Sequence, residues 1–178
     1  MLRRIFLLLL LLTLGSCASM SETQCPVADW QRVGLNDGAN GIAESHLADY
    51  VKDCAKVGIE PDAVAYRKGW DAGILRFCTP ANGWREGTQG HFQADSVCRA
   101  QASYPRFSYY LNAGLQFHRT NEQIRANNHE MWRLQSLLEA ANKDKDEDRK
   151  QLRFELQQLD WEQFRLRNLL NQQQLLAP

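Results

Sequence analysis

Residues 30–41 read WQRVGLNDGANG and residues 66–73 read YRKGWDAG. In both, an aromatic residue is followed by glycines three or four positions apart. The pattern returns as WREGTQG at 84–90 and faintly as YLNAG at 110–114. Glycines at that spacing share one face of a helix. There they let a second helix, or an aromatic ring, come close to the backbone. Each glycine costs up to about 1 kcal/mol against alanine inside a helix, so close packing must offset it. A backbone cradle for phosphate is the competing reading, but neither G-x-G-x-x-G nor G-x-x-x-x-G-K-[ST] is present. A glycine-mediated helix pair inside a membrane is excluded by Asp37, Arg67, Lys68 and Asp71 among the glycines.

The segments around these glycines read as helices. Residues 44–57 carry Leu47, Tyr50, Val51, Cys54 and Val57 on one stripe, and Gly58 stops them. Pro61 suits a first helical position, which predicts a helix over 61–77. Thr79-Pro80 opens a short helix through Trp84, and residues 88–104 read as a loop pinned by Cys98. No segment alternates apolar and polar residues convincingly, so little or no sheet is expected.

Past this region the composition changes. Residues 26–104 hold nine of the eleven glycines, whereas residues 105–178 hold only Gly114 and are rich in Leu, Gln, Asn, Glu and Arg. Pro105 opens a helix running to about Asn142, with a heptad stripe through Ile124, Met131, Leu134, Leu138 and Ala141. A second helix over about 147–174 spaces Leu152, Leu156, Leu159, Leu166 and Leu170 by threes and fours, interrupted by polar Gln163. The charged run Asn142–Asp148 between them marks a turn. An antiparallel hairpin is favoured over one continuous helix, because an intramolecular partner is always at hand. Phe154 and Trp161 lie opposite the leucine stripe. Packing on the compact region is the expectation for them; a partner-facing patch is the alternative.

The fold class expected is therefore mainly α: a small disulfide-bonded, Gly- and aromatic-rich helical domain followed by a long antiparallel, coiled-coil-like helical hairpin. The chain has 178 residues with 21 basic and 21 acidic side chains. That balance argues against a nucleic-acid partner, which needs a basic face to neutralise phosphates. The 44% apolar content is enough for a packed core and argues against disorder.

The N-terminus reads as an address. Residues 1–17 are MLRRIFLLLLLLTLGSC, with a positive start at Arg3 and Arg4 and an apolar run from Ile5 to Leu14. Ten helical residues span about 15 Å, half of a hydrocarbon core of roughly 30 Å, so a secretory signal is the better reading than a transmembrane helix. Leu14-Gly15-Ser16-Cys17 resembles the lipobox of bacterial lipoproteins. The resemblance implies cleavage before Cys17, with acylation of its sulfur by palmitate-type chains and of the new amine, which anchors the chain durably in a bilayer. Ala18 rather than Asp follows, which by the same resemblance favours the outer membrane, facing the periplasm. Removing residues 1–16 leaves 19 basic against 21 acidic residues, a mature charge of −2.

Cysteine usage fits an exported chain. With Cys17 lipidated, Cys25, Cys54, Cys78 and Cys98 remain, an even number in an oxidising compartment. Four cysteines allow three pairings. Cys25–Cys54 with Cys78–Cys98 is favoured because it closes the shorter loops.

The run from Cys25 to Cys98 resembles a family of small bacterial lipoproteins catalogued as domain of unknown function 2799. The pieces that carry the resemblance are Asp29-Trp30, Gly34-x₂-Asp37-Gly38-x₂-Gly41, Cys54-x₃-Gly58-x₂-Pro61-Asp62 and Ala65-Tyr66-x₂-Gly69-x₃-Gly73. Cys78-x-Pro80-x-Asn82-Gly83-x₃-Gly87-x₂-Gly90 and Cys98 complete them. The resemblance implies an envelope location and a Cys/Gly-rich domain, and no activity. The organisation expected is a signal over 1–16, a lipidated tether over 17–24, the family domain over 25–104 and the hairpin over 105–178.

Chemical motifs are sparse. Cys78, His91 and Cys98 lack the paired spacing of a zinc site. Asp144-x-Asp146-x-Asp148 with Glu155 mimics a calcium loop, but its sixth position is Arg149 where glycine is needed. His46, His91, His118 and His129 are scattered, with no H-E-x-x-H, and G-x-S-x-G is absent. No catalytic residue, metal or cofactor is assigned. The expectation is an envelope lipoprotein of unassigned activity, with a structural or protein-interaction role favoured over an enzymatic one. Its partners are the bilayer, through Cys17, and another envelope protein or a second copy, through the hairpin. The alternative is a periplasmic hydrolase or ligand-binding protein with its site among Trp30, Trp70, Trp84 and a carboxylate.

Overall fold

A computed structural model describes residues 19–141 and 146–178. Among them the chain is helical, with no strand. The helices are α1 (Trp30–Ala39), α2 (Leu47–Cys54), α3 (Ala63–Phe77), α4 (Pro80–Thr88), α5 (Ala94–Cys98), α6 (Tyr104–Ala140) and α7 (Asp146–Gln174). Single 3₁₀ turns occupy Cys25–Val27, Glu44–His46 and Ala55–Val57. The chain divides into two compact units, the first ending at Ile74 and the second running from Leu75 to Pro178.

In the first unit the glycines set the packing. Asp29 caps α1 by accepting the Arg32 N–H at 3.1 Å. Asp62 caps α3 by accepting from the Val64 and Ala65 N–H groups at 3.0 and 2.9 Å. Pro61 thus precedes the cap rather than opening the helix. Gly34 and Gly38 of α1 face Gly69 and Gly73 of α3, backbone on backbone. A Cβ at Gly69 would meet the Gln31 carbonyl and lie 2.8 Å from Leu35 N; one at Gly38 would lie 2.7 Å from Ile74 N. The spaced glycines are therefore mutual notches. Around them Trp30, Tyr50, Cys54, Tyr66, Trp70 and Ile74 are buried. Tyr50 packs tilted against Trp30 and edge-on to Tyr66, with ring centroids 5.9 and 6.0 Å apart. Gly58, at φ 72°, takes the left-handed conformation that ends the α2 segment.

The second unit repeats the device. Thr79 caps α4 through the Asn82 N–H at 3.2 Å, and Pro80 takes the first turn. Helix α4 runs on to Thr88, past the Trp84 expected from sequence, and α5 folds within what reads as a loop. Gly83 and Gly87 of α4 receive the α6 backbone. A Cβ at Gly83 would lie 2.5 Å from the Phe107 carbonyl oxygen, and one at Gly114 would lie 2.5 Å from that of Trp84. Gly34-x₃-Gly38-x₂-Gly41 and Gly83-x₃-Gly87-x₂-Gly90 have identical spacing, and both end on a positive-φ glycine, Gly41 at 72° and Gly90 at 82°. In each unit a glycine helix, a connecting segment with a short helix and a second glycine helix follow one another, under one disulfide. Beyond Gly114, α6 continues as the first arm of a hairpin with α7, as the heptad stripes predict.

Candidate functional site

The four cysteines pair in sequence order. Cys25 is bonded to Cys54, with Cα atoms 5.6 Å apart, and Cys78 to Cys98, at 5.5 Å. All four are buried. Cys78 and Cys98 are thus no thiolates for a metal. Among the described residues no group of three or more His, Cys, Asp or Glu is placed to hold one. The calcium-like motif falls partly on Asp144, outside the described residues. Cys17 lies outside them too. No described helix is long and apolar enough to cross a membrane.

Two tryptophans of the expected cleft lie in the core, and the third, half-buried Trp84, packs tilted on Phe117 with ring centroids 5.6 Å apart. Trp30 and Trp70 are buried, and Trp70 Nε1 donates to the Ile42 carbonyl at 2.8 Å. The carboxylate nearest this cluster is also occupied. Asp37 is buried and accepts the hydroxyls of Tyr66 at 2.8 Å and Tyr50 at 3.1 Å. Burial first, and the Asp37 charge and hydrogen bond next, push both phenols well above the ordinary tyrosine range. Asp95 forms a second node, accepting from Arg99, Tyr104 and Ser108 at 3.0 to 3.2 Å. Burial raises its carboxyl, but those hydrogen bonds outweigh burial and leave it below the usual range. Both carboxylates serve as fasteners. The histidines remain apart: His46 pairs with Asp49, His91 with Glu86, and His118 Nδ1 lies 3.0 Å from the Thr88 carbonyl.

The hairpin has two kinds of face. Inside, Thr120, Asn127 and Leu134 of α6, and Gln163, Leu166 and Gln173 of α7, are buried along the heptad seam. Gln163, which breaks the leucine stripe in sequence, is the centre of a polar layer, both accepting and donating. Asn127 Nδ2 donates to Gln163 Oε1 and to the Leu159 carbonyl, both at 3.0 Å. Gln163 Nε2 donates to Asn128 Oδ1 at 2.7 Å. Such a layer fixes register, since sliding one helix would leave amides unpaired in an apolar seam. Arg149 closes the tip by donating to the Leu138 and Ala141 carbonyls at 2.9 and 3.1 Å, a cation on a helix C-terminus.

Outside, α7 carries Phe154, Trp161 and Phe164, exposed by 59%, 68% and 62%. On α6, Trp132 is 72% exposed. The expectation that Phe154 and Trp161 pack on the compact region is corrected: both rings face solvent. Trp161, Phe164 and Leu169, with Gln158, Arg165 and Asn168, line a shallow, mostly apolar concavity of about 760 Å³ along α7. Sequence reasoning missed Phe164 and Trp132. Their signal was available, because both stand at heptad positions that turn away from the seam.

The segment before Cys25 is folded as well. The Ser19 N–H and hydroxyl both donate to Asp53 Oδ2, at 2.7 and 2.9 Å, and Lys56 Nζ holds Oδ1 at 2.8 Å. These bonds, Lys56 first and Ser19 next, hold the Asp53 carboxyl far below the usual range. Ser21 and Gln24 then close a turn on each other, with Gln24 Oε1 accepting the Ser21 N–H at 3.0 Å and its hydroxyl at 2.8 Å.

No curated protein and no solved structure matches the chain. A family model described as Protein of unknown function (DUF2799) matches residues 29–116, from the cap of α1 to just past the Gly114 notch, so the chain carries a DUF2799 domain.

Proposed function

We propose that this protein is a lipid-anchored envelope protein whose hairpin, α6 with α7, is a docking module for another envelope protein or a second copy of itself. The observation that carries the reading is the outer face of α7. The inner seam is covered by its own helices, yet three aromatic rings within eleven residues stand about two-thirds exposed. Large aromatics bury 150–250 Å² each, so roughly 350 Å² of ring surface awaits cover. At about 25 cal/mol per Å² that is worth roughly 9 kcal/mol before the cost of association. A patch of roughly 350 Å² is in the range of the largest on an ordinary monomer, and such patches are often functional. The lipobox-like Leu14–Cys17 supports the anchor, and the two disulfides support an oxidising compartment.

The test is photocrosslinking in intact cells with the full-length chain. A photoreactive residue at Trp161 is expected to give discrete adducts, and one at seam position Leu166 none. Equal, diffuse labelling at both positions overturns the docking reading. Metabolic labelling with a fatty acid that is lost in Cys17→Ala checks the anchor separately.

A further inference from the structure

Ser19 sets how far the N-terminal anchor can stand from the folded chain. Its backbone N–H and its hydroxyl are both bound to Asp53, at the end of α2, where the next residue, Cys54, is covalently joined to Cys25. The chain is therefore held at Ser19 and again at Cys25. Residues 20–24 add no reach, because they lie after the first hold. Only Ala18 separates Ser19 from Cys17. Consecutive Cα atoms are 3.8 Å apart, so the Cys17 Cα stands within about 7.6 Å of the Ser19 Cα.

We propose that the first unit sits directly on the lipid headgroup layer, with the Asp53 side of α2 as its seat, rather than at the end of a stalk. This rests on the reading of Cys17 as acylated. Acyl chains on Cys17 place its backbone at the boundary of the hydrocarbon, and the headgroup region above that boundary is roughly 5 to 8 Å deep. A reach of about 7.6 Å brings Ser19 no further than the outer edge of the headgroups. Asp53 and Lys56 go with it, and Lys52 lies four residues before Lys56 on the exposed side of the same segment. The length of the connection makes the seat, not charge: Asp49 and Asp53 balance Lys52 and Lys56 along this segment. The occupant is thus the headgroup layer of a bilayer of any charge.

The test is amine-reactive footprinting of Lys52 and Lys56, read by mass spectrometry on the full-length lipoprotein in phosphatidylcholine vesicles. The same chain without residues 1–17, which has neither leader nor acylation site, is the reference. Labelling several-fold slower in vesicles is expected at both lysines, unchanged when phosphatidylglycerol is added. A Gly/Ser insert of about ten residues between Ala18 and Ser19 adds roughly 17 Å of reach and is expected to restore reference labelling. Asp53→Ala, which frees Ser19, is expected to raise labelling at Lys52; the insert keeps the test intact if that variant fails to fold. Equal labelling in vesicles and solution, on a chain whose intact mass shows the acyl groups, overturns the seat and leaves the anchor standing. Protection that the insert does not relieve, or that needs phosphatidylglycerol, also overturns it. An intact mass without acyl groups overturns the anchor reading and the seat together.

Discussion

Replacing Gly69 by alanine tests the packing logic of the first unit. In an unencumbered helix the change is stabilising by up to about 1 kcal/mol, because glycine is the poorer helix former. Here the sign reverses. The new Cβ would press on the Gln31 carbonyl and lie 2.8 Å from both Gln31 C and Leu35 N, where ordinary contact begins at 3.4 Å. The obstructing atoms are backbone, so no rotamer change relieves them. The two 2.8 Å neighbours alone ask for about 0.6 Å, and the Gln31 carbonyl oxygen, nearer still, asks for more than twice that, whereas gaps of about 0.5–1 Å already forfeit a quarter to a half of each dispersion contact along the seam. Overpacking typically costs 1–3 kcal/mol, and this case belongs at the upper end, about 3 kcal/mol. For a cooperative unit of 60–100 residues that lowers Tm by about 12 °C or more. Thermal melting followed by circular dichroism at 222 nm, without reductant, measures it. The exposed neighbour variant Lys68→Ala is the control and is expected to leave Tm nearly unchanged. A Gly69→Ala protein that melts at or above the wild-type temperature refutes the notch argument.

Further substitutions probe the polar contacts. Gln163→Leu strands Asn128 and half of Asn127, and is expected to cost about 1–3 kcal/mol by urea denaturation; Asn127→Leu with Gln163→Leu together is expected to recover most of it. Tyr50 and Tyr66 hold their protons above the ordinary tyrosine value. Their contribution to stability is therefore complete below about pH 10 and lost as pH rises beyond it, since the unfolded chain then binds fewer protons. Absorbance titration of the native protein is expected to show two phenols ionising well above the ordinary tyrosine range, and only one in Tyr66→Phe. Removing either disulfide as a Cys→Ser pair opens a loop of 29 or 20 residues. Each is expected to cost about 3 to 4 kcal/mol, and the two losses are expected to add, because the bridges share no partner.

Much of this architecture is legible in the residues. The heptad stripes predict both arms of the hairpin to within a few residues at each end, because an apolar stripe carried through residues 124–141 in one arm and 152–170 in the other is satisfied by a paired helix and by little else. The sequential disulfides follow from loop length. The glycine spacing predicts close approach, but not that glycines on facing helices interlock, which depends on which helices meet. The short helix α5 folds where the sequence reads as a loop, since five residues carry too little periodicity to be recognised. Phe154 and Trp161 differ from expectation because large aromatics are usually covered, and local sequence does not say whether the chain has a surface to offer them. Asp37 is visible only as one letter of a motif. Its role depends on Tyr50 and Tyr66, thirteen and twenty-nine residues away, and no local pattern announces such a meeting.

The order of the two disulfides carries a consequence for how the molecule is made. Each bridge joins a cysteine to the next one along the chain, and each lies wholly within one compact unit. A polypeptide threaded N-terminus first through a pore presents Cys25 and Cys54 before Cys78 and Cys98 emerge. In the exported chain proposed above, with Cys17 acylated and so removed from thiol oxidation, a catalyst that oxidises thiols in the order they arrive makes the native bonds at the first attempt, with no isomerase needed to reshuffle them.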